Sequence, residues 1–300
     1  MLKIAWSPAY CLSLPEGHRF PMQKYNLIPE QLMYEGTITN DHIFIPTCMD
    51  DQDILLTHTQ PWLDKLNELN LTPTEIRKTG FPLTEALVTR EKIIMQGTIN
   101  AAIWALEHGV AMNLAGGTHH AFTNRGEGFC LLNDQAIAAH LLLQQKLVKK
   151  ILIVDLDVHQ GNGTAEIFKT DDRVFTFSMH GKKNYPFHKE QSDLDVELED
   201  GTNDTTYLSI LESTLKKLME VVEPEFIFFQ SGVDVIATDK LGKLALSLQG
   251  CKQRDRLVFE TAKLNDVPVC ASMGGGYSAR IADIVEAHAN TYRLAQEIFF

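Results

Sequence analysis

Apolar and polar positions along the chain alternate between two spacings. Residues 84–108 place apolar side chains at helical intervals and run into Gly109, the residue type that commonly ends a helix. Residues 110–114 are then a short apolar run of strand length. The same exchange continues with a helix over 134–147, a strand over 150–154 and a strand over 173–179. It goes on with a helix over 204–222, a strand over 226–230, a helix over 253–264, a strand over 267–271 and a helix over 280–298. Short apolar runs rich in β-branched residues suit strands covered on both faces. The pattern predicts an α/β fold, with a mostly parallel central sheet and helices on both faces. Residues 180–202 read as a long polar loop, and the acidic stretch 190–204 as a solvated face. The segment before Thr84 gives no clear period.

In open parallel sheets, ligands bind outside the carboxyl ends of the strands. Four predicted strands end there in polar or glycine-rich sequence. Residues 110–114 lead to Gly116-Gly117-Thr118-His119-His120, and 150–154 lead to Asp155, Asp157 and His159. Residues 226–230 lead to Ser231-Gly232-Val233-Asp234, and 267–271 to Gly274-Gly275-Gly276-Tyr277. This convergence on one rim carries more weight than any single motif.

Composition narrows the function class. Hydrophobic residues make up 44% and charged residues 22%, ordinary for a globular chain with a substantial core. No Pro/Gly/Ser-rich linker or repeat divides it, so residues 1–300 are expected to be one domain. The formal charge of -12 argues against nucleic acid as a partner, because a backbone binder needs clustered cations. No apolar run approaches the ~20 residues that span a bilayer, so no membrane partner is expected. The N-terminus does not read as a signal peptide. Five scattered cysteines without a CxxC pair suggest reduced thiols and a cytoplasmic location.

Asp157 and His159 lie two apart, the spacing that points side chains the same way in extended chain. With Asp234 they make a two-carboxylate, one-histidine set. Three protein ligands with a position left over is the catalytic zinc pattern, whereas structural zinc sites are closed by four. A helix cap and an ordinary rim histidine would explain Asp157 and His159 equally simply. His119 and His120 are adjacent and expected to diverge in a loop. They suit metal binding, or acid and base work beside a metal-bound water, or neither. Asp155 can orient an imidazole, and Asn162 can do so without charge. The triple glycine ending in Tyr277 lacks the GK[ST] of a phosphate loop. It lets backbone approach a ligand closely and can aim the phenol at a developing oxyanion. Phe129 and Tyr185 suit the walls of an apolar channel or ordinary packing.

The histidine pair, the run Asp155-Leu156-Asp157-Val158-His159-Gln160-Gly161-Asn162-Gly163, Ser231-Gly232-Val233-Asp234 and Gly274-Gly275-Gly276-Tyr277 occur in one order. In that set the chain resembles the histone deacetylase superfamily, which includes acetylpolyamine amidohydrolases. It looks most similar to the class IV branch and its bacterial relatives. The resemblance implies the three-layer arginase-like fold and a zinc-dependent protein-lysine deacylase acting on acetyl or longer acyl groups. An amidohydrolase for acetylated polyamines or other small acylated amines is the alternative. It further implies that Asp157, His159 and Asp234 hold zinc, with iron(II) tolerated by the same ligands. His120 would be the main base and acid, with His119 as its electrostatic partner and Asp155 orienting His119. Asn162 stands where many members pair the second histidine with an aspartate. Tyr277 would bind the substrate carbonyl. Gly128, Phe129 and Tyr185 would line the acyl-lysine tunnel, with Leu241 and Gly275 also at the substrate. Arg19 matches, less securely, an arginine near the acetate exit. The backbone around Asp155, Asp157 and His159, with Ser178 and Met179, resembles an inner potassium site. Leu241 replaces the glutamate of polyamine-specific members, and no aspartate stands near Gly80-Phe81-Pro82 to grip substrate backbone.

Overall fold

A computed structural model describes residues 1–300. Eight strands form its sheet: β1 (Ile4–Ala5), β2 (Ile43–Phe44), β3 (Val110–Asn113), β4 (Ile151–Asp155), β5 (Val174–Gly181), β6 (Leu194–Leu198), β7 (Phe226–Gln230) and β8 (Val269–Ser272). Their order across the sheet is β2-β1-β3-β8-β7-β4-β5-β6, and every neighbouring pair is parallel. The sheet is therefore wholly parallel, where the sequence suggested mostly so. The helices are α1 (Lys24–Tyr34), α2 (Asp51–Ile54), α3 (Gln60–Asn67), α4 (Pro73–Thr79), α5 (Glu85–His108), α6 (Asp134–Gln144), α7 (Asn162–Phe168), α8 (Asp204–Val222), α9 (Leu248–Leu264) and α10 (Ile281–Phe299). They cover both faces in two packed groups, α5 with α6, and α8 with α9, α10 and α1. No helix is long and apolar enough to cross a membrane.

The central strands are buried along their whole length, which is why β4 and β7 read as unbroken apolar runs. Phe226 and Phe228 meet at 4.9 Å between ring centroids, and Phe229 meets Phe259 of α9 edge-on at 5.8 Å. Caps set the long helix: Thr84 accepts the Leu87 N–H at 3.1 Å, and Gly109 (φ 85°) closes the far end by donating to Ala105. Helix α6 stops at Gln144, short of the expected 147, because Lys146 turns the chain at φ 58°.

One expectation fails. The acidic stretch taken as a solvated loop contains edge strand β6, paired with β5 from Phe177↔Leu194 to Gly181↔Leu198. Leu194, Val196 and Leu198 pack toward the core while Asp195 and Glu197 alternate with them. Acidic residues are a common guard on a sheet edge, and here they masked the period of two. The short β1 and β2 lie in the segment the sequence left unread; two residues carry no period.

The four strands whose ends carry the chemistry, β3, β8, β7 and β4, are consecutive in the sheet. Their carboxyl ends thus open on one continuous rim. Behind it, His58 fixes the return of the loop that follows β3. Its Nδ1 lies 2.9 Å from the Phe122 carbonyl, and its Nε2 accepts the Asn133 N–H at 3.0 Å. Asn133 in turn caps α6. This bonding requires neutral imidazole, and burial takes the His58 pKa down to about 4. Its folded pKa is below the unfolded value, so the unfolded chain binds more protons between those pH values. Stability from His58 is complete above pH ~6.5 and falls as the solution is acidified toward 4. This group alone should cost about 2 kcal/mol between pH 7 and pH 5. Urea unfolding at the two pH values should show that loss, and His58→Gln should lack it. An unchanged pH slope in the variant would refute the assignment.

Candidate active site

Strand β4 ends at Asp155, and the chain beyond it bends through successive side-chain-capped turns. Asp155 Oδ1 accepts the Asp157 N–H at 3.1 Å, and Asp157 Oδ1 accepts the His159 N–H at 3.0 Å. Strand alternation, the expected reason for pairing Asp157 with His159, is thus replaced by these turns. The result is the same juxtaposition, with His159 Nδ1 3.0 Å from Asp157 Oδ1. Asp234, four residues past β7, joins them. Its Oδ1 accepts the Val158 N–H at 2.9 Å, and its Oδ2 lies 3.2 Å from His159 Nδ1. One ligand atom from each of the three residues lies within 4.8 Å of the others. Gly275 donates its N–H to Asp157 Oδ2 at 2.8 Å. A Cβ on Gly275 would collide with Asp234 Oδ2, so backbone alone fits there. Asp234 Oδ2 is buried without a hydrogen-bond donor of good geometry. Two oxygens and a nitrogen, converging with one oxygen unsatisfied, fit a divalent cation.

The charges are strongly coupled. Burial lifts the Asp234 carboxyl to about 7, with the Asp157 charge adding to it. Burial would lift Asp157 too, but the cationic His119 and His159 hold it well below the usual carboxylate range. Burial alone would lower His159, yet Asp157 and Asp234 beside its Nδ1 hold it near 10. The His159 ring faces both Asp157 and Asp234, the donors a divalent cation would share with it.

His119 and His120 do not diverge as expected. Their rings stay 4.1 Å apart at 43°, while their Nδ1 atoms reach different partners. His119 Nδ1 lies 2.7 Å from Asp155 Oδ2, and His120 Nδ1 lies 2.7 Å from Asn162 Oδ1. The partners separate their protonation. Burial opposes charge on His119, but Asp155 and then Asp157 outweigh it and raise the pKa to about 9. For His120, burial and then the neighbouring His119 and His159 push the pKa well below the usual value. One imidazole is charged and the other neutral at pH 7.

These groups line a cavity of about 670 Å³. Gly128 and Phe129 form one wall, their N–H groups donating to the Lys78 and Thr79 carbonyls at the end of α4. Tyr185 and Leu241 form another, and Gly275 sits at the base. Tyr277 is half-buried, with its ring 5.9 Å from Phe129 and 6.2 Å from Phe20. Burial, and then the Asp234 and Asp157 charges, keep its phenol protonated far above neutrality. The Arg19 guanidinium also lines the cavity, 4.9 Å from the Phe129 ring centroid. Asp155 and Asn162 lie behind the histidine pair, outside the cavity lining. Ser178 is level with Asp155 across β4 and β5, Met179 follows it, and neither reaches the cavity.

Four supporting residues escaped sequence reasoning. Lys24 is buried beneath the site, donates to the Gly274 carbonyl at 3.0 Å, and is lowered by burial to about 8. Asp239 accepts the N–H groups of Tyr277, Leu241 and Gly242 at 2.5, 2.8 and 2.9 Å. An aspartate three residues before a glycine was the available signal. Glu127 accepts the Tyr185 hydroxyl at 2.7 Å. Arg254 of α9 donates to the carbonyls of Leu156 and Gly232, each close before a carboxylate of the cluster, and is held by Asp255. Nothing in the local sequence announces Lys24 or Arg254.

Residues 18–292 match the family described as the histone deacetylase domain. An uncharacterized protein of Picosynechococcus sp. is 43% identical over 99% of both chains. Histone deacetylase 2 of Arabidopsis thaliana is 30% identical, over 95% of this chain and 78% of its own. Among solved structures, an HDAC homolog complexed with SAHA superposes with a TM-score of 0.86 at 26% identity, covering 99% of this chain and 84% of that one. An HDAC homolog from Aquifex aeolicus gives 0.84 at 26% identity, covering 98% and 84%. By sequence and by fold, this protein belongs to the histone deacetylase family of amide hydrolases.

Proposed function

We propose that residues 1–300 act as one catalytic domain, a zinc-dependent protein-lysine deacylase. The observation that supports this best is the placement of a neutral imidazole, His120, in one cavity with the Asp157–His159–Asp234 cluster and a protonated phenol. An open three-ligand set favours zinc, and iron(II) suits the same donors. A divalent cation held by those three residues supplies Lewis acidity toward a carbonyl and a water. The backbone around Asp155, Asp157 and His159, with Ser178 and Met179, would hold a structural potassium ion.

The chain's own groups then divide the work. His120 engages Asn162 through Nδ1, which leaves Nε2 to take the proton of the attacking water. The water oxygen forms its bond to the acyl carbon. Tyr277 donates a hydrogen bond to the carbonyl oxygen as negative charge grows there. His120 returns the proton to the departing nitrogen as the C–N bond breaks, releasing a carboxylate and an amine. His119, charged and held by Asp155, keeps a positive field beside the reacting centre. Gly128, Phe129 and Tyr185 hold the aliphatic stem of the acyl-lysine, and Leu241 gives a cationic polyamine no carboxylate to bind.

Metal-replete protein should hydrolyse fluorogenic acyl-lysine peptides, and Asp157→Ala and His159→Ala should lose both stoichiometric metal and turnover. Full activity in either variant would refute the metal assignment. Tyr277→Phe should lower kcat by about 10²–10³-fold with KM little changed. A loss confined to KM would place the phenol in ground-state binding instead. Asn162→Asp would give His120 a charged partner and raise its pKa. The acidic limb of the kcat/KM profile should therefore move to higher pH. A limb that stays in place would remove His120 as the base.

A further inference from the structure

The chain is strongly acidic overall, yet the mouth of its cavity is not. Arg77 and Lys78, in the last turn of α4, stand on the side of Gly128 and Phe129. Lys183 and Lys243 stand on the side of Tyr185 and Leu241. The second pair is held together across two loops: Lys243 Nζ donates to the Lys183 carbonyl at 3.2 Å, and Asn184 donates to the Leu241 carbonyl at 2.7 Å. All four side chains are exposed. Arg77 and Lys243 make no ion pair. Lys78 only reaches Glu127 at 4.0 Å, and Lys183 meets Asp200 at 3.6 Å in an open, solvated pair. Glu127, the carboxylate at the mouth, already accepts from Tyr185 and Arg125. Two exposed cationic pairs from separate segments therefore line a site whose interior carboxylates are committed to His159 and the cluster. A cleft lined by one sign of charge focuses its field on whatever enters.

We propose that this rim selects acyl-lysines flanked by aspartate or glutamate, binding an acidic peptide segment on either side of the modified residue. The inference rests on the acyl-lysine reading above and adds the chemistry of the surrounding chain. It opposes the polyamine alternative, since a polycation would approach against four like charges. Two pairs carried on separate segments also suit a peptide with carboxylates both before and after the lysine. Contributions of exposed pairs are individually small and additive over several contacts, and they appear in encounter and KM more than in kcat.

The test uses zinc-loaded full-length protein and three acetyl-lysine peptides of one length, flanked by Asp/Glu, by Ser/Gly or by Lys/Arg. At low salt, kcat/KM should be at least about tenfold higher for the acidic peptide than for the basic one, mainly through KM. The gap should close as salt is raised to several tenths molar, where interactions between exposed charges are screened. The paired variants Arg77→Glu/Lys78→Glu and Lys183→Glu/Lys243→Glu should each shrink or invert the preference. Should a variant fail to fold, the wild-type panel and its salt dependence still decide. Equal turnover of the three peptides, or preference for the basic one, would overturn the proposal while leaving lysine deacylation intact. Acetylspermidine outcompeting every peptide would also overturn it. Absence of turnover on all peptides would remove the deacylase reading, and this inference with it.

Discussion

Two carboxylates and an imidazole are buried together at the end of a parallel sheet, and the surrounding chain is arranged to make that tolerable. A buried carboxylate without donors is costly enough that it would take up a proton instead. Here backbone N–H groups meet the charge at fixed points: Val158 on Asp234, His159 and Gly275 on Asp157. Val158 and His159 lie in the turn after β4, Gly275 in the loop after β8 and Asp234 in the loop after β7, so satisfying the carboxylates also fixes how β4, β7 and β8 end. The glycines at this rim follow from the same requirement, because side chains would fill the space the carboxylates occupy. The site and the architecture of the strand ends are one solution to a single desolvation problem.

The histidine pair shows how a small difference in neighbours assigns different roles to identical side chains. His119 and His120 share burial and almost share a position, but one faces a carboxylate and the other an amide. A carboxylate stabilises imidazolium in a way that a neutral amide oxygen cannot match. The field of the charged ring then adds to the burial that keeps its neighbour neutral. Electrostatic separation of paired groups is a general route to distinct acid and base roles within one pocket.

What the sequence disclosed tracks the range of the interactions involved. Buried strands β4 and β7 were readable because total burial writes itself as an apolar run, and α5 because its caps are local. The cluster residues were readable because each sits just past such a strand. Strand β6 was missed because its edge position calls for acids, which hid Leu194, Val196 and Leu198. Lys24 and Arg254 were missed for another reason. Their partners lie 250 residues away for one, and 98 and 22 for the other, so no local pattern marks them. The cationic mouth was likewise invisible in the net charge, which sums over the whole surface and says nothing about its distribution.

Arg254 joins parts of the protein that the chain keeps separate. Its guanidinium reaches the backbone just before Asp157 and just before Asp234, while Asp255 beside it is held by Thr291 of α10. If either loop moved alone, a buried carbonyl and a buried guanidinium would both lose a partner, at about 1–3 kcal/mol for each group left bare. Separate excursions of the two loops are thereby suppressed relative to a joint one. The two ligand-bearing turns and the middle of α9 are tied into one unit, whose amides should become exchangeable together and not one loop at a time.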